Sequence, residues 1–87
     1  MTTLTIDNLI FTELPDVDDM VKVAVTELIE SSCKSRVMYM TRRQWEEVIN
    51  DRDGWRQTIK EVYESLKAKG YLLSQTRDEE GRLHYAD

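Results

Sequence analysis

The last quarter of the chain constrains its fold most. In "SLKAKGYLLSQTRDEEGRLHYAD", residues 65–87, a helical pattern runs into Gly70 and two short apolar runs follow, split by an acidic, glycine-containing turn. Gly70 supplies the left-handed stop that helix C-termini favour, and Tyr71 stands where a Schellman motif brings it against Leu66. Tyr71 to Thr76 and Arg82 to Tyr85 are strand-like. Asp78-Glu79-Glu80-Gly81 suits a type I turn closed by a left-handed glycine. A lone hairpin is marginal in water, so this one must lean on helices, with Leu72, Leu83 and Tyr85 as anchors.

The segments before it supply those helices. Asp53 is positioned to cap a helix from Trp55 to Lys69, with Ile59, Val62, Tyr63 and Leu66 facing inward at helical spacing. In "MTRRQWEEVIN", residues 40–50, Thr41 and Gln44 form a capping box, and Met40 and Trp45 take the two staple positions around it. Trp45, Val48 and Ile49 form the inner face of that short helix. Further upstream, Asp16 serves as an N-cap and Asp18 and Asp19 suit the positive end of a helix dipole. Val17, Met20, Val21, Ala24, Val25 and Leu28 follow at three- and four-residue spacing, which predicts a first helix ending between Ser32 and Ser35. Its many β-branched residues make it dependent on packing. "RVMYM", residues 36–40, reads as a short strand or extended link. Residues 3–12 fit either an edge strand or an arm that packs elsewhere.

The order helix, short strand, helix, turn, helix, hairpin resembles the winged helix-turn-helix domain. The stretch from Leu66 through Gly70, Tyr71, Leu72, Gly81 and Arg82 to Tyr85 looks like the end of the reading helix and the wing in MarR- and PadR-type bacterial regulators. The resemblance covers roughly residues 16–86. It implies a mainly α fold with a small β-hairpin (α+β): three helices plus a C-terminal wing over residues 16–87, preceded by an arm or edge strand over 1–15. It also implies DNA contacts. The reading-helix positions are Arg56, Gln57 and Lys60, Arg42 and Arg43 meet phosphates, and Arg77 and Arg82 flank the wing tip. Two departures stand against it. Glu61 repels phosphate from the reading helix, and Asp78-Glu79-Glu80 repel it from the wing tip.

Charge divides the same way. The chain of 87 residues carries a net charge of −5, which argues against indiscriminate nucleic-acid binding. Residues 1–33 hold seven acids and one Lys, while Ser31 to Trp45 hold no acid and include Lys34, Arg36, Arg42 and Arg43. A cationic face can therefore exist on an acidic protein. The bland alternative is a solvated surface of local ion pairs: Arg42 with Glu46, Arg43 with Glu47, Lys60 with Glu64, and Arg77 or Arg82 with Asp78 or Glu80. Phosphate-cradling glycine loops, paired His–Glu metal helices and nucleophile elbows are missing, so an enzyme is not expected. One Cys and one His make a structural zinc site improbable, and no cofactor or metal is expected. Cys33 reads as a small core or near-core residue and His84 as a surface strand residue. With no basic N-terminal leader and no membrane-length apolar run, the expected location is cytoplasmic.

The leading expectation is a small non-enzymatic DNA-binding protein, a transcriptional regulator or accessory factor of a bacterium, phage or plasmid. The alternative is an acidic protein-interaction module, such as a phage-encoded inhibitor of a host nucleic-acid-handling protein. Self-association is expected through the N-terminal arm and first helix, where Leu9, Ile10 and Phe11 are available.

Overall fold

A computed structural model describes residues 2–30, 32–72, 74–77 and 83–86; for 32, 74–77 and 83–86 only the backbone enters the description. Six strands form one antiparallel sheet in sequence order: β1 (Thr3–Ile6), β2 (Leu9–Val17), β3 (Met20–Ile29), β4 (Ser32–Met40), β5 (Ser74–Arg77) and β6 (Leu83–Ala86). Two helices, α1 (Arg42–Ile49) and α2 (Trp55–Ala68), are inserted between β4 and β5.

The first helix and the three-helix winged architecture expected from the sequence are therefore corrected. Residues 16–17, 20–29 and 32–35 belong to β2, β3 and β4. Val21, Val23 and Val25 are all fully buried, while Lys22, Ala24 and Thr26 between them are partly exposed. That is a period of two. A helix would set residues 21, 23 and 25 on different sides. The three- and four-residue spacing was also present, but four of the six residues from Val21 to Thr26 are β-branched and pack best on a pleated surface. Asp18-Asp19 is the β2–β3 turn rather than a helix start, and Asp18 takes a left-handed φ of 54° there. Of the two alternatives for residues 3–12, the edge strand describes only Thr3–Ile6, and the arm is not formed. These residues are β1 and the first part of β2, joined through Asp7-Asn8, with Asp7 at φ 54°. Position 15 falls inside β2.

The second half follows the sequence more closely. Thr41 and Gln44 make the full capping box, with Gln44 N–H donating to Thr41 Oγ1 at 3.1 Å and Thr41 N–H donating to Gln44 Oε1 at 2.9 Å. Gly70 ends α2 at φ 74°. Tyr71 N–H reaches Leu66 O at 3.0 Å and Gly70 N–H reaches Lys67 O at 3.0 Å, the two bonds of a Schellman motif. Asp53 does not cap α2: it sits in a one-turn 3-10 segment, Arg52–Gly54, and the N-cap is Gly54 at φ 74°. Val62, expected inward, is 41% exposed. The C-terminal hairpin exists, with Gln75 opposite Tyr85 and Arg77 opposite Leu83, but it extends the sheet by pairing Gln75 and Ser74 with Ser35 and Arg36 of β4. Its expected turn at 78–81 and Arg82 lie outside the described residues, as do the side chains of Leu83 and Tyr85.

Both helices pack on one face of the sheet. The core joins Leu9 and Phe11 of β2, Val21, Val23 and Val25 of β3, and Met38 and Met40 of β4 to Trp45, Val48, Ile59 and Tyr63 of the helices, with Leu72 sealing the start of the hairpin. Phe11 and Tyr63 meet edge to face, centroids 6.3 Å apart, the geometry aromatic quadrupoles prefer.

Candidate interaction surface

The expected DNA-contacting cations whose side chains are described are held by separate partners. Arg42 Nη2 donates to both carboxylate oxygens of Asp16, at 2.8 and 2.9 Å, and its Nη1 donates to Glu13 Oε2 at 3.0 Å. Glu46, the expected helical partner, is bypassed because β2 brings two acids to the same spot. Arg56 turns inward: its Nε donates to Val48 O at 3.2 Å and its Nη2 to Ile49 O at 2.8 Å. It thereby reaches Ile49 O, one of the carbonyls that a helix end leaves without an intrahelical donor, and reinforces Val48 O, which also accepts from Asp51 N–H at 3.1 Å. Lys60 pairs with Asp7 in the β1–β2 turn, not with Glu64, which pairs with Lys67 at 3.0 Å. Arg43 is 90% exposed and lies 3.7 Å from Glu47, as the sequence spacing suggests. Gln57 is exposed on α2. Arg77 lies in β5 with its side chain outside the description, as is all of Arg82. Asp7 precedes β2 and Asp16 lies near its far end, so Lys60 and Arg42 are anchored at opposite ends of a strand that runs roughly 23 Å from Leu9 to Asp16 at about 3.3 Å per residue.

Arg36 is a polar residue inside the core, 7% exposed. Its Nη1 donates to Glu27 Oε2 and to Tyr63 Oη, each at 3.0 Å. Lys67 Nζ donates to the other Glu27 oxygen at 3.0 Å and lies 5.6 Å from the centre of the Tyr63 ring. Burial pushes the Glu27 carboxyl up, but bonds from Lys67 and Arg36 outweigh it and hold the group below its ordinary range. Burial likewise pushes the Tyr63 hydroxyl up, against the opposing pull of Arg36. Glu13 is also held down, first by the Trp45 indole N–H donating to its Oε1 at 2.8 Å and then by Arg42. These groups bond strands to helices. The acid-free stretch in which Arg36 sits had marked it as surface cation. Period-two spacing with Met38 and Met40 would have placed it on the core face.

The opposite face of the sheet is of a different kind. Register sets Thr5, Ile10, Thr26 and Ser35 in one row across β1–β4, Thr3, Thr12, Ala24 and Val37 in the next, and Leu14, Lys22 and Tyr39 in a third. None of these side chains belongs to the core cluster or packs against it. Thr26 Oγ1 and Ser35 Oγ share a hydrogen bond at 3.0 Å, and Tyr39 is 51% exposed. Lys22 is the one charged residue in the three rows. A solvated sheet face normally alternates to polar and charged side chains, so this face departs from the ordinary in its lack of charge. Acids border it: Asp18 and Asp19 are exposed at one end and Glu30 at the other. Leu28 and Cys33, opposite one another at that second end, are also exposed, so Cys33 is a surface residue and not the core or near-core residue expected. A depression of about 190 Å³ beside α1, lined by Arg43, Glu46, Glu47, Asn50 and Arg52, is below the roughly 300–1,000 Å³ of small-molecule pockets.

Among the described residues no helix is long and apolar enough to cross a membrane. Comparison with protein-family models, with curated proteins and with solved structures gives no match.

Proposed function

We propose that this chain is a non-enzymatic protein-interaction module that docks a partner protein on the open face of its sheet. The observation that carries the reading is the composition of that face: three cross-strand rows with Lys22 as their single charge. Such a surface is suited to desolvation, because covering Thr, Ala, Ile and Val strands no charge. The bordering acids give the partner its character. A protein with an apolar centre and a basic rim complements both parts of the surface, and nucleic-acid-handling proteins commonly expose basic patches. Of the cations expected to read DNA, Arg42 and Lys60 are neutralised by acids on β2 and the β1–β2 turn, and Arg56 is spent on the end of α1. This distribution favours a protein partner over DNA.

The test is retention of proteins from source-cell lysate on the immobilised chain, with Ala24→Glu and Val37→Glu as face variants and Glu61→Ala as a helix-side control. A stoichiometric partner held by the wild type and the control, lost from both face variants and weakened by salt, is the expected result. Equal capture by the face variants overturns the surface assignment. Salt-sensitive binding of duplex DNA with no such partner restores the DNA reading.

A further inference from the structure

We propose that the free edge of β1 pairs with the same edge of a second copy of this chain, antiparallel across a two-fold axis at Leu4. β1 ends the sheet, and the inference does not rest on the occupant of the open face.

The outward backbone groups can be identified from the ladder. Glu13 N–H donates to Thr2 O at 2.8 Å, and the register continues with Thr12 opposite Thr3 and Phe11 opposite Leu4. Hydrogen-bonded and non-bonded pairs alternate along an antiparallel ladder. Thr2, Leu4 and Ile6 therefore face β2 with their N–H and C=O groups, and those of Thr3 and Thr5 point away from it. A two-fold axis at Leu4 sets Thr3 of one copy opposite Thr5 of the other. Those two pairs form four N–H···O=C bonds and use every outward group of both residues.

Side chains agree with that register. Leu4 meets its own symmetry mate at a non-hydrogen-bonded position, where side chains approach most closely, and both Leu4 residues lie on the core face, where they already pack against the core. Threonines oppose threonines on the open face, a favourable cross-strand pair. No charged residue lies between Thr2 and Ile6, and the nearest, Asp7, is paired with Lys60. Protected edges carry charge, proline or a bulge. β2 beyond Thr12 has all three in Glu13, Pro15 and Asp16, with a register shift between Leu14 and Val17, whereas β1 has none. The perpendicular two-fold axis leaves both open faces on the same side, so the dimer presents two neighbouring copies of the interaction surface.

The contact is small, which sets a transient association with a dissociation constant of roughly 10–100 μM. It strengthens with salt, because each chain carries net charge −5 and the seam contains no ion pair to screen. Sedimentation equilibrium of the full chain from low micromolar to millimolar concentration, at low and high salt, is the first measurement. Mass rising toward twice the monomer, more at high salt, is expected, together with added exchange protection at the Thr3 and Thr5 amides and none at Leu4. Thr5→Pro removes only an outward N–H, which edge strands tolerate, and is expected to stay monomeric; Ala24→Glu is expected to dimerise normally. A wild type that is monomeric throughout overturns the proposal. So does a dimer formed without protection at Thr3 and Thr5, or one abolished by Ala24→Glu.

Discussion

Tyr63 joins the polar cluster to the apolar core. Its ring meets Phe11 and its oxygen accepts from Arg36. Tyr63→Phe keeps the ring packing and deletes the acceptor, while Arg36 retains Glu27. The expected cost is about 1–2 kcal/mol, read as a lowered urea midpoint at unchanged slope. Two carboxylates make stability depend on acidity. Glu13 is held below its ordinary range by Trp45 and Arg42, and Glu27 by bonds from Lys67 and Arg36 that outweigh its burial. A group depressed in the folded state binds its proton more readily when unfolded. Its contribution is therefore present above the ordinary glutamate range, near pH ~4, and is lost as pH falls through the folded value. Melting temperature is expected to change little between neutral pH and about 5 and to fall below about 4. Glu13→Gln is expected to shallow that fall, and an unchanged acid limb in this variant excludes Glu13 as a contributor.

The two helices behave as one joined unit on the sheet. Thr41 opens α1 with a capping box, and Arg56 closes it from the first turn of α2. The turn between them carries left-handed residues at Asp51, Asp53 and Gly54, and Asp51 Oδ1 accepts from Arg56 N–H at 3.3 Å. Arg56→Met preserves much of the side-chain volume and removes both bonds to the end of α1. A loss of about 1–2 kcal/mol is expected, with exchange protection falling first in the last turn of α1. An equal loss of protection across the sheet would instead assign Arg56 a role in the core. The strands depend on tighter turns. The β1–β2 and β2–β3 turns place Asp7 and Asp18 at left-handed φ where glycine is the easier residue, and this absence of glycine hid two hairpins from a reading by turn composition.

At the scale of the whole molecule, the described residues form a single layer of sheet covered on one side only. The helices and the C-terminal hairpin lie after the long strands in sequence, yet the hairpin's contact is with the β4 edge at Ser35 and Arg36, more than thirty positions earlier. The winged reading took the hairpin as an appendage of α2, because adjacency in sequence is the only adjacency a sequence displays. The same limit applied to charge. Arg42 has a glutamate four residues on, but its partners are Glu13 and Asp16, brought to it by β2. Leu9 and Phe11, read as surface for self-association, are fully buried.

What could be settled locally was settled by local chemistry. The Thr41–Gln44 box, the Gly70 stop and the extent of α2 rest on bonds between residues at most five positions apart, and the final hairpin on pairs at most twelve apart, so the residue types alone specify them. Residues 16–35 carried both a helical and a strand period in the same valines, and the choice required the long-range pairing of β2, β3 and β4 around one core. Which acid holds each cation, which face carries little charge and which edge is unguarded followed only from that pairing. Each is a property of residues distant in sequence and adjacent in space.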